Sequence, residues 1–122
     1  MRANFEPVFN RLRAILQRNA GSMKVADDTA VRYCLKCGLH PRHKTPMPVA
    51  WVQTGKNYVS YHLMPVYACP KLVEGCSKEL QARMQGKSCF NFKTIDETLL
   101  QELEQLTIAA FAAWKKAGFG VE

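Results

Sequence analysis

The sequence predicts an α+β domain in which an antiparallel sheet of about four strands packs against an N-terminal and a C-terminal helix. Apolar residues recur at helical spacing near both ends of the chain, at 5–16 and 99–114, and alternate with polar residues in short segments between them. Short links between those segments favour hairpin-connected strands over crossover connections. The predicted element order is α-β-β-β-α-β-α.

Composition is that of a globular protein. The chain has 122 residues, of which 48% are hydrophobic and 22% charged, so we expect residues 1–122 to form a single domain with one core. No apolar run approaches the roughly 20 residues needed to span a bilayer, and the first ten residues lack the apolar centre of a secretory signal. The five cysteines are therefore expected to be thiols, and the expected location is cytoplasmic, with no membrane partner.

The two outer helices are predicted from their caps and apolar stripes. The first begins at Asn4 as N-cap and should end at Gly21. Its apolar positions are Phe5, Phe9, Leu12, Ile15 and Leu16. The last begins with a capping box of Thr94 and Glu97 and ends near Gly118. Its apolar positions are Leu99, Leu103, Leu106, Ala110 and Trp114. One stripe on each helix predicts that both pack on the sheet.

The central segments alternate as half-buried strands do. The predicted strands are 30–36, 49–54, 57–64 and 88–93. The glycine and three prolines of 38–48 predict a loop, and Gly55-Lys56 predicts a hairpin turn. Pro65 and Pro70 bound a connection, and a short helix is predicted from Ser77, its N-cap, to Gly86.

The positive charge lies in the first half of the chain. Residues 1–56 carry ten Lys/Arg against three Asp/Glu, whereas residues 57–122 carry seven of each, and the net charge is +7. Clustered cations can bind nucleic acid by releasing condensed counterions, or they can form a solvated face with no partner. A nucleic-acid role requires one continuous surface made by Arg11, Arg18, Arg32, Lys36, Arg42 and Lys44.

The stretch CLKCGLHPRH places Cys34, Cys37, His40 and His43 at a spacing of three. These are metal-ligand types, but an ordinary zinc site takes its second pair of ligands from farther along the chain. A continuous strand would also point Cys34 and Cys37 to opposite faces. Three interpretations stay open, namely a strand end with a polar loop, a transition-metal site and a redox pair.

A second candidate site follows from strand alternation. Tyr58, Ser60 and His62 share one face of their strand, and Cys89 and Asn91 are expected on the same side of the neighbouring strand. Arg83, Gln85 and Lys87 lie at the helix-to-strand turn. Polar groups beside Arg and Lys can hold a small anion. The predicted ligand-binding residues are Tyr58, Ser60, His62, Arg83, Lys87 and Asn91. In the alternative, Ser60 and His62 are hydrogen-bonded structural residues, and the two cations offset a helix dipole.

Catalysis has less support in the sequence. Cys89 and His62 could act as nucleophile and base, but no residue that would orient the histidine can be identified. No phosphate-binding glycine loop, HExxH or GxSxG motif occurs. No catalytic residue and no cofactor are predicted.

The segments GKNYVSYHLMPVY, at 55–67, and RMQGKSCFNFKTID, at 83–96, resemble the YdhG-like family of small bacterial proteins, and the resemblance spans roughly residues 47–114. It implies a frataxin-like α+β sandwich and an iron-chaperone role, in which carboxylates on a helix and the sheet edge hold iron. The first helix here offers Glu6 among Arg11, Arg13 and Arg18, so it lacks that acidic ridge.

Together these observations predict a non-enzymatic binding module for a small anionic ligand or a metal ion. Nucleic-acid binding through the basic N-terminal half is the alternative.

Overall fold

The fold is known from a computed structural model that describes residues 5–21, 23–39, 46–86 and 88–116. The helices are α1 Glu6–Asn19, α2 Met64–Ala68, α3 Lys71–Glu74, α4 Lys78–Gln81 and α5 Glu97–Lys116. The strands are β1 Lys24–Asp28, β2 Arg32–Leu39, β3 Pro46–Thr54, β4 Val59–Leu63 and β5 Cys89–Phe92. They form one antiparallel sheet in the order β1-β2-β3-β4-β5. The predicted α+β class is confirmed.

The sheet contains one strand more than the sequence predicts. Strand β1 was missed because its side chains are mostly exposed and lack an apolar alternation, and Val25 is among the exposed ones. It forms by pairing with β2, with an irregularity between Val25 and Asp27. Short, charged and irregular strands are typical of sheet edges, where they discourage pairing with other chains.

Strands β2 and β3 also run farther than predicted. Leu39 pairs with Pro46, so the predicted loop at 38–48 begins and ends inside strands. The register shifts between Leu35 and Leu39, opposite a segment that contains Pro46 and Pro48. Proline cannot donate to a ladder and is tolerated at such irregularities, which explains why prolines here do not end the strand.

The helix ends follow the predicted chemistry with two changes, one of which is that α4 ends at Gln81 and not at the predicted Gly86. Gly21 follows α1 with a φ of 56°, the left-handed conformation that stops a helix. Ser77 is the N-cap of α4, as predicted, because its Oγ accepts the Leu80 N–H at 3.1 Å. The cap of α5 is Asp96, whose Oδ1 accepts the Leu99 N–H at 3.2 Å, and not Thr94. Asn4 lies outside the described residues.

Helices α2 and α3 occupy the segment that the prolines predicted to be a connection. Pro65 lies in the first turn of α2, where its missing N–H costs nothing, and Pro70 is the N-cap of α3. These prolines therefore start short helices and do not interrupt structure.

The core lies between the helices and one face of the sheet. Helix α1 packs on β3 and β4, and α5 packs on α1 and on α2, α3 and α4. The largest fully buried side chains include Phe9, Leu103, Tyr61, Phe90 and Phe92. Among the described helices, none is long and apolar enough to cross a membrane.

Candidate functional site

The candidate site lies on the sheet face opposite the core, which we call the open face. Its side chains alternate along the strands with those that face the core, and they are Arg32, Cys34, Trp51, Gln53, Ser60, His62, Cys89 and Asn91. His62 pairs across strands with Trp51 and Cys89, and Ser60 pairs with Gln53 and Asn91. The antiparallel register thus brings together four of the five residues that alternation predicted to lie on one side, namely Ser60, His62, Cys89 and Asn91.

Arg83 reaches this face through a short extension of the sheet. Met84 forms a bridge with buried Phe90, the Asn91 N–H donates to the Arg83 carbonyl at 2.8 Å, and the Gln85 N–H donates to the Cys89 carbonyl at 2.9 Å. Because Met84 lies opposite a core residue, alternation places Arg83 and Gln85 on the open face. The predicted turn therefore extends the sheet beside β5 by one isolated bridge.

Gln85 connects the polar side chains of this region. Its Oε1 accepts from Asn91 Nδ2 at 2.6 Å and lies 3.5 Å from the Tyr58 hydroxyl. The Cys89 Sγ lies 3.4 Å from Asn91 Oδ1 and 3.7 Å from His62 Nε2. The sequence analysis placed Gln85 at the helix-to-strand turn of this group but did not include it among the predicted ligand-binding residues.

Trp51 is a second residue that sequence reasoning missed. Its ring stacks on His62 with 4.4 Å between centroids and an interplanar angle of 15°. The Arg32 guanidinium lies 6.0 Å from the indole centroid, donates to Gln53 Oε1 at 2.7 Å and pairs with Asp27. Burial under this stack, and secondarily the charge of Arg32, lowers the pKa of His62. The imidazole is therefore held in its neutral form.

The Cys89 thiol is not set up as a nucleophile. Burial raises its pKa, and a hydrogen bond with Ser60 offsets this only in part, so the thiol stays protonated at neutral pH. Its 3.7 Å separation from His62 Nε2 is long for a proton-transfer contact. The pair can hydrogen-bond to a ligand, whereas nucleophilic attack would require the thiolate.

Two solvent-open depressions lie on either side of Tyr58. The first, of about 300 Å³, is lined by Gln53, Gly55, Lys56, Asn57, Tyr58, Ser60 and His62. The second, of about 390 Å³, is lined by Tyr58, Ala82, Arg83, Met84, Gln85, Asn91 and Lys93. Five of the six predicted ligand-binding residues line one depression or the other. Lys87 lies outside the described residues.

The predicted metal ligands are only partly described. The Cys34 side chain is 1% exposed, and burial raises the pKa of its thiol. The backbone of Cys37 belongs to β2, but its side chain lies outside the described part of the structure, as do His40 and His43. Within the described ranges, no group of three or more His, Cys, Asp or Glu side chains is placed to hold a metal ion.

The cations required for a nucleic-acid surface lie on different sides of the molecule. Arg11 and Arg18 belong to α1 and pair with Glu97 and Glu104 of α5. Arg32 lies on the open face, on the side of the sheet away from α1 and α5, and Lys36 belongs to the same strand, β2. Arg42 and Lys44 lie outside the described residues. The three arginines therefore do not share one surface.

Comparison of the chain with protein-family models, with curated proteins and with solved structures finds no match. The resemblance to the YdhG-like family therefore stays an expectation.

Proposed function

We propose that the protein binds a small anionic ligand on the open face, in the two depressions beside Tyr58. The supporting observation is a difference among the described arginines, of which Arg83 alone has no carboxylate partner. Lys56 borders the first depression, and Arg83 and Lys93 border the second. In the described part of the chain, none of these three has a carboxylate partner.

Arginines elsewhere in the described structure are neutralised by acidic side chains. Arg11 pairs with Glu97, Arg13 with Asp28, Arg18 with Glu104 and Arg32 with Asp27. The depressions therefore carry uncompensated positive charge in concave surroundings, where low-dielectric walls concentrate the field. A guanidinium and an ammonium that converge on one space suit the oxygens of a phosphate or carboxylate group.

The proposal can be tested by isothermal titration calorimetry with inorganic pyrophosphate. We expect binding to one site, with an affinity that falls as salt rises because the cations are exposed. Arg83→Gln should weaken binding roughly 10-fold or more, the value of one charge-assisted hydrogen bond. The variant should fold normally, because the sheet uses the Arg83 carbonyl and not its side chain.

A matched pair of lysine variants separates the site from general charge. Lys93→Gln should weaken binding, whereas Lys71→Gln, which removes an exposed charge from α3 on the helical side, should leave it unchanged. Equal effects of the two changes, or no heat of binding at millimolar pyrophosphate, would refute the proposal. Titration with Fe²⁺ and Zn²⁺ in the same way tests the metal alternative. Saturable binding of either ion, with no binding of pyrophosphate, would replace the anion site by a metal site.

A further inference from the structure

The open face suggests a more specific chemical class for the anion, an inference that rests on the proposed function. Tyr58 lines both depressions, is half-buried, and has its hydroxyl 3.5 Å from Gln85 Oε1. A ligand that occupies both depressions must therefore cross this side chain. An aromatic ring favours a flat, polarisable group over an extended polar chain at such a crossing.

The two depressions differ in chemistry. The second has two cations, Arg83 and Lys93, beside the amides of Gln85 and Asn91. The first has one cation, Lys56, with the neutral polar side chains of Gln53, Asn57 and Ser60. An anionic group is therefore better matched to the second depression, and an uncharged hydrogen-bonding group to the first.

The hydrogen-bonding roles of Gln53 and His62 in the first depression follow in part from their contacts. The Oε1 of Gln53 accepts from Arg32 at 2.7 Å, which leaves its amide nitrogen as a donor for a ligand. His62, stacked under Trp51, is neutral and has one donor and one acceptor nitrogen. Side-chain amides that offer a donor beside an acceptor match the edge of a nitrogen heterocycle.

We infer that the ligand is a nucleoside monophosphate or a heteroaromatic phosphate of similar build. Its ring lies against Tyr58 with its polar edge toward Gln53 and Asn57, and its phosphate contacts Arg83 and Lys93. Each depression is far larger than a phosphate ion, and together they lie in the size range usual for small-molecule sites.

The experiment compares adenosine monophosphate, guanosine monophosphate, ribose 5-phosphate and inorganic pyrophosphate by calorimetry on the wild-type chain and two Tyr58 variants. Tyr58→Leu removes the ring, and Tyr58→Phe keeps it and removes the hydroxyl. At least one nucleoside monophosphate should bind more tightly than ribose 5-phosphate. Tyr58→Leu should weaken that binding roughly 5- to 150-fold, the range for loss of one stacked base. Tyr58→Phe should retain most of the affinity, and ribose 5-phosphate should be insensitive to both changes.

The outcomes distinguish this inference from the proposed function. If pyrophosphate and ribose 5-phosphate bind as tightly as both nucleotides, and Tyr58→Leu changes nothing, the inference is wrong while anion binding stands. If no anion binds, the proposed function fails as well. Single-stranded RNA of about ten nucleotides serves as a further probe. If it binds through Tyr58 while both monophosphates do not, the partner is nucleic acid, and the small-ligand inference is overturned.

Discussion

Tyr61 and Thr107 join the sheet to helix α5 through a buried hydrogen bond of 2.6 Å between their hydroxyl oxygens. Both residues are fully buried, and Thr107 Oγ1 also donates to the Leu103 carbonyl at 2.8 Å. Since the threonine proton is used by that carbonyl, Tyr61 is the donor to Thr107. Burial raises the pKa of Tyr61, so the phenol keeps this proton.

Removing either hydroxyl should destabilise the fold. Tyr61→Phe should lower the free energy of unfolding by about 1–2 kcal/mol, and Thr107→Val by about 1–3 kcal/mol, because the latter leaves the Tyr61 hydroxyl buried with no acceptor. Urea unfolding of the two single variants and of the double variant measures the effect. The double variant should lose less than the sum of the single losses, and strict additivity would contradict the coupling.

The link between Ser77 and Glu102 should hold the short helices on α5. Glu102 Oε2 accepts the Ser77 N–H, and Oε1 accepts the Ser77 hydroxyl, both at 2.6 Å. Glu102→Ala should cost about 1–2 kcal/mol. It should also speed hydrogen exchange at the Leu80 amide, which the Ser77 hydroxyl caps. Gln105→Ala, an exposed change on the same helix, serves as the control, and equal exchange at Leu80 in both variants would show that the link is unimportant.

His62 should titrate below the ordinary histidine pKa of about 6.5. Its pKa is lowered first by burial and then by Arg32, so the unfolded chain takes up a proton more readily than the folded one. Stability should therefore fall as pH decreases through about 6.5 toward the lower folded pKa. An NMR titration of the His62 ring measures the midpoint, and Arg32→Gln should raise it. A midpoint at or above 6.5 in the wild-type chain would be inconsistent with the stacked, desolvated ring.

The lowered pKa of His62 also predicts how the free energy of unfolding changes with pH. The loss of unfolding free energy between pH 7 and about pH 5 should be smaller in His62→Gln than in the wild type, because the variant lacks the group responsible. His40 and His43 are present in both proteins and cancel in the comparison. Equal losses in the two proteins would show that His62 contributes nothing to the pH dependence.

Cys34 should resist alkylation in the native protein. Its side chain is covered on the open face, and burial raises the pKa of its thiol, which opposes formation of the reactive thiolate. A pulse of iodoacetamide followed by mass spectrometry should label Cys89, which is half-buried, faster than Cys34. Guanidinium should remove the difference, because both thiols become ordinary in the unfolded chain. Equally fast native labelling of Cys34 would show that the cover over this residue opens.

Local patterns predicted the parts of the fold that depend on neighbouring residues. The helical stripes predicted α1 and α5, alternation predicted which side chains of β4 and β5 share a face, and Ser77 was correctly predicted as a cap. Strand β1 lacks such a signal, because an edge strand with exposed side chains has no apolar alternation to detect. Helices α2 and α3 were missed because Pro65 and Pro70 were interpreted as breakers, although proline also favours helix starts.

Part of the candidate site also follows from local sequence patterns, and the rest depends on the tertiary structure. The sequence determined that Ser60 and His62 share a face of their strand and that Cys89 and Asn91 share a face of theirs, because side chains alternate along any strand. Only the tertiary structure decided that register places Trp51 against His62, that Gln85 joins Asn91 to Tyr58, and that Arg32 has an acidic partner while Arg83 has none among the described residues. These relationships depend on which segments, distant from each other in the sequence, pair in the sheet. The free energy of that pairing comes from the whole sheet and not from any one segment. Local periodicity therefore specifies the face of each side chain, whereas its neighbours and its charge environment depend on the fold.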